Sequence, residues 1–376
     1  MSAFAVYRLP YGKFATMIQQ TDGEPAELLS CAELNGRQGF VMAPFEITDS
    51  HPILLIRPDK VETIPCKGRF RPPLAPPDSG GEEIPLLSAP TVVYDSPPKL
   101  GGARGGLNDL TSPYSNYSID FANFHSQLEQ GTFRKIVLAR CAEEELAESI
   151  PPMELFYRAC DLYPRMFISL VCTKKSGYWL TATPEILLEG KGTDWRTIAL
   201  AGTVRLEGEQ LSGEGETVNW STKNIQEQRY VATYIAECLE QFTSEFSEEG
   251  PFSVRAANLV HLRSDFTFTL PSNNHLGDLL QALYPTPAVC GLPKRETFHF
   301  ITHNEHTPRL YYSGFQGWLG EEETHLFVSL RCMKVEDRRY YLYAGGGLLK
   351  DSTEEQEWQE TEAKLETMRG LFVKSE

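Results

Sequence analysis

The chain of 376 residues has no C-x-x-C pair, no apolar run long enough to span a bilayer and no tract of basic residues. Its eight cysteines are scattered through apolar segments. That is the usage of reduced, buried thiols, not of a zinc cluster or a disulfide framework. Lys and Arg total 35 against 51 Asp and Glu, a net charge of −16. Such a balance excludes a nucleic-acid surface. It leaves an anionic small substrate open, wherever local cations or a metal override the global field. The N-terminus lacks a basic stretch followed by an apolar one. Together these absences lead us to expect a cytoplasmic protein with no membrane or nucleic-acid partner. Common phosphate and nucleophile signatures are missing too. Gly345-Gly346-Gly347 and Lys350 lack the G-K-[ST] of a P-loop, and neither G-x-S-x-G nor G-x-G-x-x-G occurs. His299 and His303 are four apart but lack the H-E-x-x-H order, so with Glu305 and His306 they read as a surface cluster.

Present instead is a hydrophobic content of 41%, enough for a large core. Residues 1 to about 65 alternate short apolar runs with turn residues, a β-rich pattern. From about 71 to 112, Pro-Pro and Gly-Gly pairs recur too densely for regular elements, so we read a linker or loop. The region 113–376 carries stronger signals and is read as the catalytic part, fused with 1–112 in one globular unit. It opens with an expected helix over Asn116–Gln130, with Ile119, Phe121, Phe124 and Leu128 on its apolar face. A strand over Phe133–Cys141 follows. The pattern predicts further helices over Met153–Leu162 and Thr222–Phe242. Strands are expected over Arg309–Leu319, His325–Val335 and Arg339–Ala344.

Several charged residues stand in apolar company. Lys135 shares a strand face with Phe133 and Val137, so it sits at a sheet margin or points into a site. Glu185 falls at a turn between two apolar strands, as a turn cap or a positioned acid. Glu227 begins the apolar face of a long helix. It is a first-turn glutamate favoured by the helix dipole, or a buried carboxylate that needs a partner. Arg331 is expected on a strand face with Ser329 and Phe327, where a guanidinium can clamp a carboxylate at two points. After the glycine stretch, read as a turn, a helix capped by Asp351 or Ser352 would align Glu357, Glu360 and Lys364. Such a stripe is a solvated acidic face, or a cation site beside a backbone bare of side chains.

The joint pattern resembles the chorismate-utilising enzymes. The segments that carry it are Phe133-x-Lys135-Ile-Val-Leu-Ala-Arg140, Thr183-Pro-Glu185, Ala199-Leu-Ala-Gly-Thr203, Lys223-Asn-x-x-Glu227 and His261-Leu262. They continue with Pro285-Thr-Pro-Ala-Val-Cys-Gly291, Arg309-x-x-Tyr-x-Gly314, Leu330-Arg331, and Gly345-x-Gly347 through Lys364. The resemblance implies an α+β fold: two similar halves, each with a large antiparallel sheet, packed as a sandwich with helices outside. It implies Mg²⁺ held by Glu227 and Glu360, with Glu357 on a metal-bound water. It assigns substrate contacts to Ala201, Gly202, Thr203, His261, Thr286, Tyr312, Arg331, Gly345, Gly346, Gly347 and Lys364. Lys135 is implied as the base that activates water, and Glu185 as the acid that assists loss of a ring hydroxyl. Ala201 stands where one branch of the family carries a nucleophilic lysine, and Lys135 stands where the anthranilate branch lacks one. Both positions favour an isochorismate synthase acting on chorismate, in a menaquinone or siderophore pathway. A salicylate synthase is the alternative, and an anthranilate synthase component I-like enzyme a lesser one. No obligate partner subunit is implied. Tyr284 departs from the pattern, replacing a histidine common before Pro-Thr-Pro and putting the hydrogen bonding beside the site in question.

Overall fold

The computed structural model describes residues 3–66, 113–206, 218–256 and 259–373. The proline- and glycine-rich stretch of about 71–112 lies outside the described residues, as does most of the polar loop before residue 217. The first region forms β1 (Ala3–Arg8), β2 (Phe14–Gln20), β3 (Ala26–Leu28), β4 (Gly39–Ala43), β5 (Ile53–Ile56) and β6 (Lys60–Pro65). Then come α1 (Pro113–Glu129), β7 (Lys135–Glu145), α2 (Pro152–Leu162), β8 (Phe167–Thr173), β9 (Gly177–Thr183), β10 (Ile186–Lys191) and β11 (Asp194–Arg205). Next are α3 (Thr222–Leu239), β12 (Phe246–Ala256), β13 (Leu259–Thr269), α4 (Leu276–Leu283), β14 (Gly291–Leu292) and α5 (Lys294–Asn304). The chain closes with β15 (Phe315–Leu319), β16 (Glu323–Val328), β17 (Cys332–Glu336), β18 (Arg339–Leu348) and α6 (Glu354–Arg369).

These strands build two nine-stranded antiparallel sheets, in an α+β architecture. One has the order β14-β7-β18-β17-β9-β8-β1-β2-β6, the other β12-β13-β11-β10-β16-β15-β4-β5-β3. The first 66 residues are thus shared between both sheets. Inward-facing residues of the two sheets meet in one core, where Phe167 stacks on Phe327 at 4.2 Å and Trp179 on Tyr343 at 5.5 Å. Such a ring pair contributes about 0.5–1.5 kcal/mol beyond its buried area. The helices cover the outer faces. Val231, Ala232, Ile235 and Leu239 of α3 pack on one sheet, and Leu155, Phe156 and Ala159 of α2 on the other.

Several local expectations give way to tertiary context. β18 does not stop at Ala344 but runs on through Gly345, Gly346 and Gly347, paired with Ala139, Leu138 and Val137 of β7. The expected strand over Arg309–Leu319 begins only at Phe315. That over His325–Val335 breaks between β16 and β17, and Arg331 in the break takes a left-handed φ of 46°. It is therefore not aligned with Phe327 on one pleat. α6 starts after Thr353 with no side-chain cap. Ser352 instead accepts from Leu349 N–H at 3.0 Å, so neither expected cap forms. Ile119, placed on the apolar face of α1, is 44% exposed. β12 has no counterpart among the expected strands, because Glu248-Glu249-Gly250-Pro251 interrupts its apolar alternation at a bulge.

Candidate active site

The bare backbone of β18 explains why three glycines sit in a central strand. A Cβ on Gly345 would lie 2.8 Å from the Tyr312 hydroxyl, and one on Gly346 2.9 Å from Glu357 Oε2. At Gly347 it would lie 2.8 Å from Lys135 Cε and overlap the Glu227 carboxylate. Three carboxylates therefore approach two adjacent glycines: Glu227 from α3, and Glu357 and Glu360 from α6. Each is paired with a lysine. Lys135 Nζ lies 3.0 Å from Glu227 Oε1, Lys223 pairs with Glu357, and Lys364 lies 2.7 Å from Glu360. Lys364 also donates to Gly345 O at 2.8 Å, which ties α6 to β18. Against burial, Lys135, Lys223 and Lys364 together hold Glu227 below the usual carboxylate range. Glu357 goes the other way, pushed up to about 7 by burial and then by Glu360.

Among the described residues, no three His, Cys, Asp or Glu side chains are gathered as a ready-made metal cage. The carboxylates face lysines, which offset their mutual repulsion. Yet the donor set fits a divalent cation. Glu357 Oε2 is buried without a hydrogen-bond partner, and Glu357 and Glu360 crowd one another across Gly346.

The opposite side of the site is differently made. Glu185 is buried in the turn between β9 and β10, its N–H bonded to Thr183 Oγ1 at 3.2 Å. Burial pushes its carboxyl up to about 8, against the field of Lys135, Arg331 and Lys364. His261 on β13 places Nδ1 3.0 Å from Gly202 O, and its Nε2 meets the Arg331 guanidinium. Burial, then Arg331 and Lys364, drives its pKa well below the usual value. A neutral imidazole donating from Nδ1 and accepting at Nε2 satisfies both contacts. Arg331 is itself pulled down to about 10 by burial, and its Nη1 has no partner. A buried, unpaired guanidinium nitrogen is a ready position for a carboxylate.

Glu185, Ala201, Gly202, Thr203, Glu227, His261, Tyr312, Arg331, Gly345, Gly347 and Lys364 all line one cavity. Gly346, Glu357 and Glu360 lie outside its lining, on the α6 side of the strand. Lys135 is fully buried and lies behind Glu227, so it joins the site through that carboxylate. Thr286 does not line the cavity, where Ala288 and Val289 of the same segment stand instead. Tyr284 is also turned away, its hydroxyl donating to Pro44 O at 2.5 Å.

Sequence reasoning missed three contributors. Lys223 is the partner of Glu357, and its spacing of four from Glu227 on α3 was the available signal. Glu305 is not a surface residue. It is buried with Arg309 at 2.6 Å and accepts from Ala139 N–H at 2.7 Å, while Arg309 donates to Val137 O and Val289 O. This pair fixes β7 against the Thr286–Val289 segment. Arg140 lies 3.7 Å from the Trp358 ring and donates to Thr361 at 2.7 Å, setting α6 on the sheet.

The family description for chorismate binding enzymes matches residues 108–373. The chain belongs to that family. It is 34% identical over 251 residues to the salicylate biosynthesis isochorismate synthase of Pseudomonas aeruginosa, covering 65% of this chain and 52% of that protein. It is 30% identical over 249 residues to the isochorismate synthase MenF of Escherichia coli, covering 65% and 57%. For the isochorismate synthase DhbC of Bacillus subtilis the identity is 31% over 255 residues, covering 65% and 64%. The matched part thus spans about half to two thirds of these relatives. Among solved structures, E. coli MenF superposes with a TM-score of 0.73 at 21% identity, over 99% of this chain and 89% of that one. Anthranilate synthase component I of Streptococcus pneumoniae superposes with a TM-score of 0.57 at 20% identity, over 68% and 57%. These likenesses establish a chorismate-binding fold. No helix among the described residues is long and apolar enough to cross a membrane.

Proposed function

We propose that the protein is a Mg²⁺-dependent isochorismate synthase, adding water at C2 of the chorismate ring with loss of the C4 hydroxyl. The observation that carries this reading is Glu185, a buried carboxyl pushed up to about 8 in the same cavity as the unpaired Nη1 of Arg331. Protonated at neutral pH, Glu185 gives its proton to the departing C4 hydroxyl, which leaves as water. The attacking water passes a proton by way of Glu227 to Lys135 behind it, so one water enters, one leaves and the product is an isomer. Arg331, held by His261, binds a substrate carboxylate. Ala201 presents no nucleophile of its own, which leaves water as the attacking group.

Glu227, Glu357 and Glu360 are the residues that would hold Mg²⁺, with Lys223 and Lys364 balancing their charge. When bound, the cation screens the anionic substrate from an acidic protein. The names of the relatives support menaquinone or siderophore synthesis as the setting. The test is incubation with chorismate and Mg²⁺ followed by chromatographic identification of the product. Isochorismate is the expected result. Salicylate with pyruvate would replace the reading by its closest rival, and anthranilate formed with ammonium would move the chain to another branch.

A further inference from the structure

Two tyrosines of α1, Tyr114 and Tyr117, stand three apart and so share one face of the helix. Both set their rings edge-on against Trp358 of α6, with centroids 4.8 and 5.0 Å away. Trp358 follows Glu357 directly, and the Arg140 guanidinium lies over its ring. The two hydroxyls differ. Tyr114 is half-buried and donates to Glu354, a carboxylate outside the cation set. Tyr117 is 2% exposed, and its hydroxyl has no hydrogen-bond partner among the described residues. Burial raises its pKa, and of the charges that act on it Glu357 is the strongest, ahead of Arg140 and Glu360. The phenol therefore keeps its proton at neutral pH and is a donor beside carboxylates. Glu357 has the complementary want. Lys223 and Ser352 engage it, yet its Oε2 is buried without a partner. A buried donor and a buried acceptor left unsatisfied near each other are rare in a folded protein.

We propose that Tyr117 is a positioning residue of the cation site, its hydroxyl donating to Glu357 Oε2 when that carboxylate turns from Lys223 to the cation. The inference rests on the reading above that Glu227, Glu357 and Glu360 hold Mg²⁺. A hydrogen bond on the second oxygen of a ligating carboxylate fixes the plane of the group. Partners that orient metal ligands in this way are worth about 10- to 100-fold in metal affinity. Tyr117 suits the task because its ring is wedged against Trp358, which Arg140 in turn ties to the sheet. A neutral donor is also the right kind of group there. Lys223 competes with the cation for Glu357 as a like charge, whereas a phenol holds the carboxylate and leaves its negative charge for the metal.

The test is titration calorimetry with Mg²⁺ alone, on protein treated with EDTA and dialysed, alongside thermal unfolding in EDTA. Tyr117→Phe keeps the ring and deletes the hydroxyl. It should weaken Mg²⁺ binding about tenfold, within the range for groups that orient a metal ligand. Its Tm in EDTA should stay at or above the wild-type value, because the deleted hydroxyl has no partner to lose. Tyr114→Phe is the control. It removes a hydroxyl from the same face of α1, one bonded to Glu354, and should change Mg²⁺ affinity by less than about twofold. Unchanged affinity in Tyr117→Phe overturns the proposal. An equal loss in Tyr114→Phe also overturns it, by placing the effect in the packing of α1 on α6. So does a fall in Tm that accompanies the lost affinity, since the hydroxyl would then be a structural contact. A wild type that binds no Mg²⁺ ends the metal reading and this inference together. One that binds it while Tyr117→Phe is unaffected ends this inference alone.

Discussion

At the α6 end of the site each carboxylate has its own lysine, whereas at the Glu185 end the charges stand nearly alone. Glu227, Glu357 and Glu360 are matched by Lys135, Lys223 and Lys364. Glu185 lies in the field of three cations without bonding directly to any, and Arg331 keeps a nitrogen free. The difference shows what each end awaits. Matched charges in a buried place keep their net cost low and can exchange one cation for another. Unmatched groups retain their cost, and a ligand that supplies the missing partner recovers it. On the proposed function, the first end would take the cation and the second would bind and protonate the substrate.

The comparison breaks most severely if the matched end is altered. Glu227→Gln and Glu360→Gln should each abolish Mg²⁺-dependent turnover while leaving the fold intact, with Mg²⁺ binding lost in titration calorimetry. Near-wild-type activity of both at limiting Mg²⁺ would remove the metal assignment. Lys135→Gln should lose isochorismate formation by about 10² to 10⁴, the usual cost of a missing general base, while still binding chorismate. Undiminished water addition would place the base elsewhere. At the unmatched end, Arg331→Lys should raise KM for chorismate by about tenfold or more, since an ammonium cannot make the planar two-point contact. An unchanged KM would take Arg331 out of the carboxylate site.

The smallest expected effect sharpens the comparison instead of breaking it. Glu185 has a folded pKa above its ordinary value, so it is protonated below about pH 8 and loses its proton as pH rises through that value. The rate at saturating chorismate should therefore fall above about pH 8. In Glu185→Gln that alkaline limb should disappear from a much lower, flat profile. A limb retained in the variant would assign it to another group.

Much of the framework was readable because periodicity reports burial. α3 was expected to begin at Thr222 and does, with Ser221 accepting from Asn224 N–H at 3.2 Å as its cap. The resemblance to the chorismate-utilising enzymes also implied one site for Glu185, His261 and Arg331, and the three line one cavity. Local propensity failed where another chain segment comes close. Three consecutive glycines signal a turn. Here they continue a strand because Tyr312, Glu357 and Glu227 occupy the places of their missing side chains. Arg331 looked like a strand residue, yet its left-handed backbone turns it away from the Phe327 pleat, toward His261. Glu305 looked solvated among histidines. Its partner Arg309 lies four residues on, beyond the end of α5, where helix reasoning no longer applies. Such contacts are decided by topology, which a local pattern does not encode.

The sharing of the first 66 residues between both sheets also orders events in time. Phe4 of β1 pairs with Cys172 of β8, and Met42 of β4 pairs with Gln316 of β15. At a synthesis rate of about 5–20 residues per second, β4 waits roughly 15–55 s for its partner to be made. Until then its outer edge presents unpaired backbone donors and acceptors, and its apolar residues lack the opposite sheet. The strands that leave the ribosome first are among the last to be enclosed.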